Sequence, residues 1–183
     1  MSCAPVLGLV GSLRVPSLTA VAVERVLAAV EGIPVKRLEQ QKLALPLCDG
    51  RTEDEPPGSV AELRSEVASS RALVIGSPQY NGSFSAVIKN ALEWLGPELL
   101  RGRVVGVVTV AEGASAMGAA TGLQALCIGM GAWVVPVTAT VPLAAHVFAE
   151  PSAPFAAEIL RGLDTLGATI SEACRRLDGG RRG

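Results

Sequence analysis

One histidine in 183 residues, and four cysteines set far apart, remove most metal and thiol chemistry from consideration. Cys3, Cys48, Cys127 and Cys174 form no C-x-x-C pair, and His146 alone cannot complete a Cys/His zinc site. The expectation is a reducing, cytoplasmic setting without structural zinc. An excess of charge is missing too. Sixteen basic side chains face seventeen acidic ones, for a net charge of −1, so there is no basic field to displace counterions from a nucleic acid, and none is expected as a partner. No stretch of about 18 uninterrupted apolar residues occurs, and no basic region followed by an apolar run and a small-residue cleavage site opens the chain, so a soluble protein with no membrane partner is expected. Aromatic residues make up only 3%, yet apolar residues reach 49%. That is enough for one buried core, expected over 1–177, with 178–183 a frayed tail rich in glycine and arginine.

Apolar runs of strand length alternate with stretches of helical period, which predicts a parallel sheet wrapped by helices. Pro5–Val10 reads as the first strand. Leu18, Ala22, Val26 and Ala29 then fall on one helical face, with Glu24 and Arg25 facing away, and the helix ends near Gly32 and Pro34. Val35–Leu38 fits a short strand, and Glu39–Pro57 a long loop ending in the acidic, proline-rich run from Glu53. Ser59 and Glu62 have the spacing of a capping box for the next helix. Ala72–Ile75 is apolar without alternation, as in a central strand covered on both faces. Ser85 suits the N-cap of a helix closed by Gly96-Pro97. Val104–Val110 and Trp133–Val137 read as the last two strands, with a small-residue helix from about Ala116 to Met130 between them and a final helix over Pro154–Leu177. The expected fold class is α/β: a doubly wound five-stranded parallel sheet of order 2-1-3-4-5 between two helical layers. Ligands of such sheets bind beyond the carboxyl ends of the strands, where strand order reverses, so the loops there carry the functional expectation.

The first of them reads Gly11-Ser12-Leu13-Arg14-Val15-Pro16-Ser17-Leu18-Thr19. Hydroxyl side chains and open backbone N–H groups at a helix N-terminus make an anion site, and Arg14 adds a planar fork of donors. It lacks the Gly-Lys-Ser/Thr of a Walker loop and the G-x-G-x-x-G of a dinucleotide fold, so a single terminal phosphate fits best. Taken alone, the loop reads equally well as helix capping by Ser12, Ser17 and Thr19 beside a solvated Arg14.

After the third strand comes Gly76-Ser77-Pro78-Gln79-Tyr80-Asn81-Gly82-Ser83-Phe84-Ser85, followed by Lys89-Asn90-Ala91-Leu92-Glu93-Trp94-Leu95. This closely resembles the S-P-x-Y-N-G-S…K-N-A-L-x-W-L signature of the NADPH-dependent FMN reductase family. The resemblance extends to Gly-Ser-x-Arg-x-x-Ser in the first loop and to Gly131-Ala132, and so covers the chain through about Pro136. It implies a flavodoxin-like fold, bound FMN, and NADPH or NADH as the hydride donor. By resemblance, Ser12, Arg14, Ser17 and Thr19 hold the phosphate. Pro78, Gln79, Tyr80, Asn81, Gly82 and Ser83 wrap the isoalloxazine edge. Pro78 and Gly82 suit that work on physical grounds, since a tight turn without a Cβ lets main-chain N–H groups approach a ring. Lys89 and Asn90 are expected to serve structure, tying their helix to a loop or partner chain, and Trp94 to be core or interface.

The sequence departs from the family pattern at three places. Gln79 stands where Glu is frequent, Thr19 where Asn is common, and Ala111-Glu112-Gly113-Ala114-Ser115-Ala116-Met117-Gly118 replaces a glycine-rich run. In the family that last loop approaches the pyrimidine side of the flavin. Glu112 would oppose negative charge there, so it is expected to face solvent and leave the N–H groups of Gly113 and Ala114 toward the ring. The chemistry needs no catalytic His or Cys, because the cofactor supplies the reactivity.

The implied activity is hydride transfer from NAD(P)H to FMN and then to a small electron acceptor by a ping-pong cycle. Candidate acceptors are a quinone, an azo or nitro compound, a metal oxyanion or free flavin. Two alternatives stay open: an FMN enzyme dedicated to one biosynthetic intermediate, and a flavodoxin-type electron carrier, against which the near-zero net charge argues. A homodimer or homotetramer is the oligomeric state that the resemblance implies.

Overall fold

The computed structural model describes residues 4–50 and 56–179. Cys3, the acidic run Glu53–Glu55 and the tail from residue 180 lie outside them. Strands β1 (Val6–Val10), β2 (Val35–Arg37), β3 (Ala72–Tyr80), β5 (Val104–Val110) and β6 (Trp133–Val141) form a parallel sheet of order β2-β1-β3-β5-β6. The expected five-stranded order is present, with one addition. Ser83–Phe84 forms a two-residue strand, β4, that turns back antiparallel onto Gln79 and Tyr80.

The central strands are continuous apolar runs because both of their faces are covered; every residue of β1 and of β5 is buried. Helices α1 (Leu18–Ala28), α5 (Ala144–Ala149) and α6 (Pro154–Gly179) cover one face, over a core that includes Val23, Val74, Val108 and Leu163. Helices α2 (Gly58–Ala68), α3 (Ala86–Leu100) and α4 (Met117–Gly129) cover the other, over Leu9, Ile75, Ile88 and Leu123. Arg25 does not point into solvent as the helical pattern suggests. Its guanidinium holds Asp164 of α6 through two bonds of 2.8 and 2.7 Å, and thereby ties α1 to α6.

Several boundaries differ from the sequence expectation. The Ser59/Glu62 capping box does not form: α2 begins at Gly58, the Pro57 carbonyl takes the N–H groups of Val60 and Ala61, and Glu62 pairs with Lys42 instead. Ser59 thus sits inside the first turn, where its hydroxyl cannot cap. Gly96, at φ 67°, breaks α3 where the Gly-Pro pair predicts, but one further turn follows to Leu100. The segment Glu39–Pro57 contains a 3₁₀ turn, Gln40–Leu43. The β3 strand runs on to Tyr80, and β6 passes Pro136 to reach Val141, because the register with β5 shifts between Val105/Val134 and Val107/Thr138. A proline on an edge strand at such an irregularity forfeits no ladder bond. Helix α6 continues to Gly179, two residues into the segment expected to fray.

Candidate functional site

The carboxyl ends of β1, β3 and β5 lie side by side, so the three loops singled out by sequence converge on one rim of the sheet. The β1–α1 loop is held at its base. Gly11 N–H donates to the Gly76 carbonyl at 2.8 Å, and Ser85 Oγ donates to the Gly11 carbonyl at 2.6 Å. Gln40 Nε2 donates to the Arg14 carbonyl at 2.6 Å. Ser17 caps α1, its Oγ accepting from Ala20 N–H at 3.2 Å, so capping and an anion cradle are compatible uses of one hydroxyl-rich turn. Ser12, Ser17 and Thr19 are nearly buried at the base of the loop, whereas the Arg14 side chain is 74% exposed.

Between this loop and the β5–α4 loop rises the β3–β4 hairpin. Asn81 (φ 50°) and Gly82 (φ 81°) are its two turn residues, and the positive φ at both is what a two-residue hairpin of right-handed twist requires. Pro78 is buried, Tyr80 is 55% exposed, and Asn81, Gly82 and Ser83 are exposed. A Cβ at Gly82 or at Gly113 would meet nothing within 4 Å, so both main chains are open to a planar ligand. Gln79 is engaged on both side-chain atoms: Nε2 donates to the Ser115 carbonyl at 2.7 Å, and Oε1 accepts from Ala119 N–H at 3.0 Å. It joins the hairpin to the β5–α4 loop and supplies a cap that Ala116, at the N-cap of α4, lacks.

Glu112 faces solvent, as expected, with its side chain 90% exposed. It also meets Arg14 across the rim, Oε1 to Nη1 at 3.6 Å. Gly113 and Ala114 are exposed beside it. The loop backbone is fixed from the far side, where Ala111 N–H donates to Val141 O, Leu143 N–H to Gly113 O and Ala144 N–H to Ala111 O.

Sequence reasoning missed residues that build this rim without offering chemistry to a ligand. Ser77 Oγ accepts from Ser85 N–H, and Gln40 steadies Arg14. Gly118 and Gly122 let α4 lie against the hairpin: a Cβ at Gly118 would collide with the Gly82 carbonyl oxygen, and one at Gly122 would stand 3.1 Å from the Phe84 ring. Their i,i+4 spacing in a small-residue helix was the available signal. The Asn90 expectation holds. Its Oδ1 accepts from Cys48 N–H and its Nδ2 donates to Pro46 O, while Trp94 Nε1 donates to the same carbonyl at 2.8 Å. Lys89 pairs with Glu93 one turn on, and His146 is exposed on α5. Two concavities of about 340 and 310 Å³ lie elsewhere, one among Arg71, Arg101 and Arg103 at the opposite end of the strands, the other between β6 and α6.

The residues fit the phosphate and ring of a flavin mononucleotide: an N-terminal helical turn with hydroxyls and an arginine on one side, and open glycine backbone on the other. Known proteins resemble this chain in fold and in sequence. An oxidoreductase of solved structure from Corynebacterium diphtheriae superposes with a TM-score of 0.81 over 96% of this chain and 99% of its own, at 19% identity, and so shares the fold. An NAD(P)H-dependent FAD/FMN reductase of Geobacillus thermodenitrificans is 29% identical over 106 residues, which is 56% of this chain and 57% of that protein. An NAD(P)H-dependent FMN reductase of Pseudomonas aeruginosa is 31% identical over 90 residues, 49% of this chain and 48% of its own. The chain thus aligns with about half the length of these curated relatives. The model of one family, described as NADPH-dependent FMN reductase, matches residues 4–146, a span that takes in all three rim loops. By that match the chain belongs to the NADPH-dependent FMN reductase family.

Proposed function

We propose that this protein binds FMN at the rim formed by the β1, β3 and β5 loops and uses it to pass electrons from NADPH or NADH to a small acceptor. The observation that carries this reading is the convergence of a hydroxyl-and-arginine turn with two open glycine backbones at one edge of the sheet. Bound FMN would supply hydride acceptance from a nicotinamide and onward electron transfer, reactions no side chain here can perform. The chain's own part is binding and orientation. Ser12, Ser17 and Thr19 with the first N–H groups of α1 would take the phosphate, and Arg14 would neutralise it. Pro78, Gln79, Tyr80, Asn81, Gly82 and Ser83, with Gly113 and Ala114, would border the ring. Tyr80 and Met117 are exposed and would flank the open side, where donor and acceptor would take turns in a ping-pong cycle. Quinones, azo compounds, metal oxyanions and free flavin are acceptors of suitable chemistry.

Anaerobic mixing of the FMN-loaded protein with NADPH tests the reading. Bleaching of the flavin absorbance, restored on adding a quinone, is the expected result. Failure to take up FMN would sink it, and uptake without bleaching by either nicotinamide would instead favour an electron carrier.

A further inference from the structure

Between Arg103 and Glu150 the chain carries a single charged residue, Glu112, and the fold delivers it to the rim where an anionic cofactor would sit. Adjacent strands run about 4.8 Å apart, so the Arg14–Glu112 contact at 3.6 Å bridges the loops of two strands separated by β3. Both residues have fixed backbones and exposed side chains. Arg14 is anchored through its carbonyl by Gln40, and Glu112 lies between Ala111 and Gly113, each bonded to the segment that follows β6. The guanidinium can therefore turn toward the phosphate cradle or toward the carboxylate while neither loop moves.

We propose that Glu112 is a built-in competitor for Arg14, holding the guanidinium when the FMN phosphate does not and thereby making the cofactor weaker-bound and exchangeable. This rests on the proposed phosphate cradle. A carboxylate at this rim contributes nothing favourable to an anionic ligand, and its partner is the one side chain of the cradle with a formal positive charge. The pair is exposed, so its effect is limited. Exposed ion pairs shift equilibria by roughly two- to fivefold.

The experiment is a fluorescence titration of apoprotein with FMN and with riboflavin, which lacks the phosphate, using the native protein, Glu112→Gln, Arg14→Ala and the double variant. Glu112→Gln is expected to tighten FMN about threefold at low ionic strength and leave riboflavin unchanged. The gain should vanish in the Arg14→Ala background. It should also shrink at about 1 M salt, where exposed charges are screened beyond roughly 3 Å. Equal tightening of FMN and riboflavin, or a gain that survives without Arg14, would overturn the proposal, because Glu112 would then act on the ring or directly on the phosphate. If Arg14→Ala weakens FMN but Glu112→Gln changes nothing, the competition is refuted and the cradle stands. If Arg14→Ala itself leaves FMN binding intact, the cradle fails and the competition with it.

Discussion

The side-chain oxygen of Gln79 accepts the N–H of Ala119 at 3.0 Å, so a residue of β3 caps the helix that follows β5. Because Nε2 of the same amide holds the Ser115 carbonyl, one side chain sets the spacing of two of the three rim loops. Gln79→Ala removes both bonds and returns a helix-terminal N–H to water. The expected loss is about 1–2 kcal/mol of stability, read by urea denaturation, together with weaker FMN binding. A variant with lower stability but native FMN affinity would show that the spacing of these loops is held by other contacts.

Arg14 offers a sharper test of the anion cradle. Arg14→Ala should weaken FMN by about 1.5–3 kcal/mol, the range for a hydrogen bond to a charged group, and leave riboflavin binding and the thermal midpoint nearly unchanged. Its side chain is exposed and the loop is held through its backbone, so the fold loses only the exposed contact with Glu112. Equal losses for both flavins would mean that Arg14 does not meet the phosphate.

The parts of this molecule written in consecutive residues were legible. The apolar runs of β1, β3 and β5, a turn at Gly82 and the hydroxyl-rich first loop all declare themselves within a few positions, but Pro78, read as part of that turn, lies in β3 opposite Val110, and the turn is made by Asn81 and Gly82. What the sequence concealed depends on partners distant along the chain. The last strand reads as ending at Val137, and only the register shift opposite Gly106 lets β6 run on to Val141. Ser59 and Glu62 have capping-box spacing, but Pro57 starts the helix and Lys42 takes the carboxylate. Glu112 was legible as solvent-facing, yet its pairing with Arg14 needs both loops in place. The loop–helix tie through Asn90 was foreseeable in kind, whereas its partners, Pro46 and Cys48, were not.

Asn90 reaches back to the segment that follows Leu45 and satisfies Cys48 N–H at 2.9 Å. Asn90→Ala orphans that donor, while Trp94 Nε1 still serves the Pro46 carbonyl. A loss of about 1–3 kcal/mol is expected, with faster proteolysis after residue 45. Trp94→Phe added to Asn90→Ala should cost more than the two separate losses combined, because Pro46 O then loses both side-chain donors. Simple additivity would show that the two donors act independently.

Gly118 and Gly122 differ in what stands over them. At Gly118 an added methyl runs into the Gly82 carbonyl, a backbone atom that moves only with the hairpin, whereas at Gly122 it meets the edge of the Phe84 ring at 3.1 Å. Gly118→Ala should cost about 1–3 kcal/mol through overpacking and reduce FMN affinity at least roughly tenfold as the hairpin shifts, a loss of about 1.4 kcal/mol in binding free energy. Gly122→Ala gains about 1 kcal/mol in helix propensity, which offsets a smaller clash, so its net change should be near zero. Equal behaviour of the two variants would remove hairpin placement as the explanation.

Cys127, a fully buried residue of α4, gives the pH prediction. Burial pushes its thiol up to about 12 from 9.0, because a thiolate there would lack solvent. The unfolded chain gives up this proton near its ordinary value while the folded chain keeps it. Between those values the native state binds more protons, and stability falls as pH rises. The contribution is complete below the unfolded value and is lost progressively from about pH 9 toward 12, by at most about 1.4 kcal/mol per pH unit. Cys127→Ala should flatten that part of the stability profile in urea unfolding across the alkaline range. In the native protein at about pH 8, the half-buried Cys48 should react with iodoacetamide while Cys127 reacts only at the rate of global opening. Alkylation of Cys127 as fast as Cys48 would mean that α4 lifts off the sheet far more often than its packing implies.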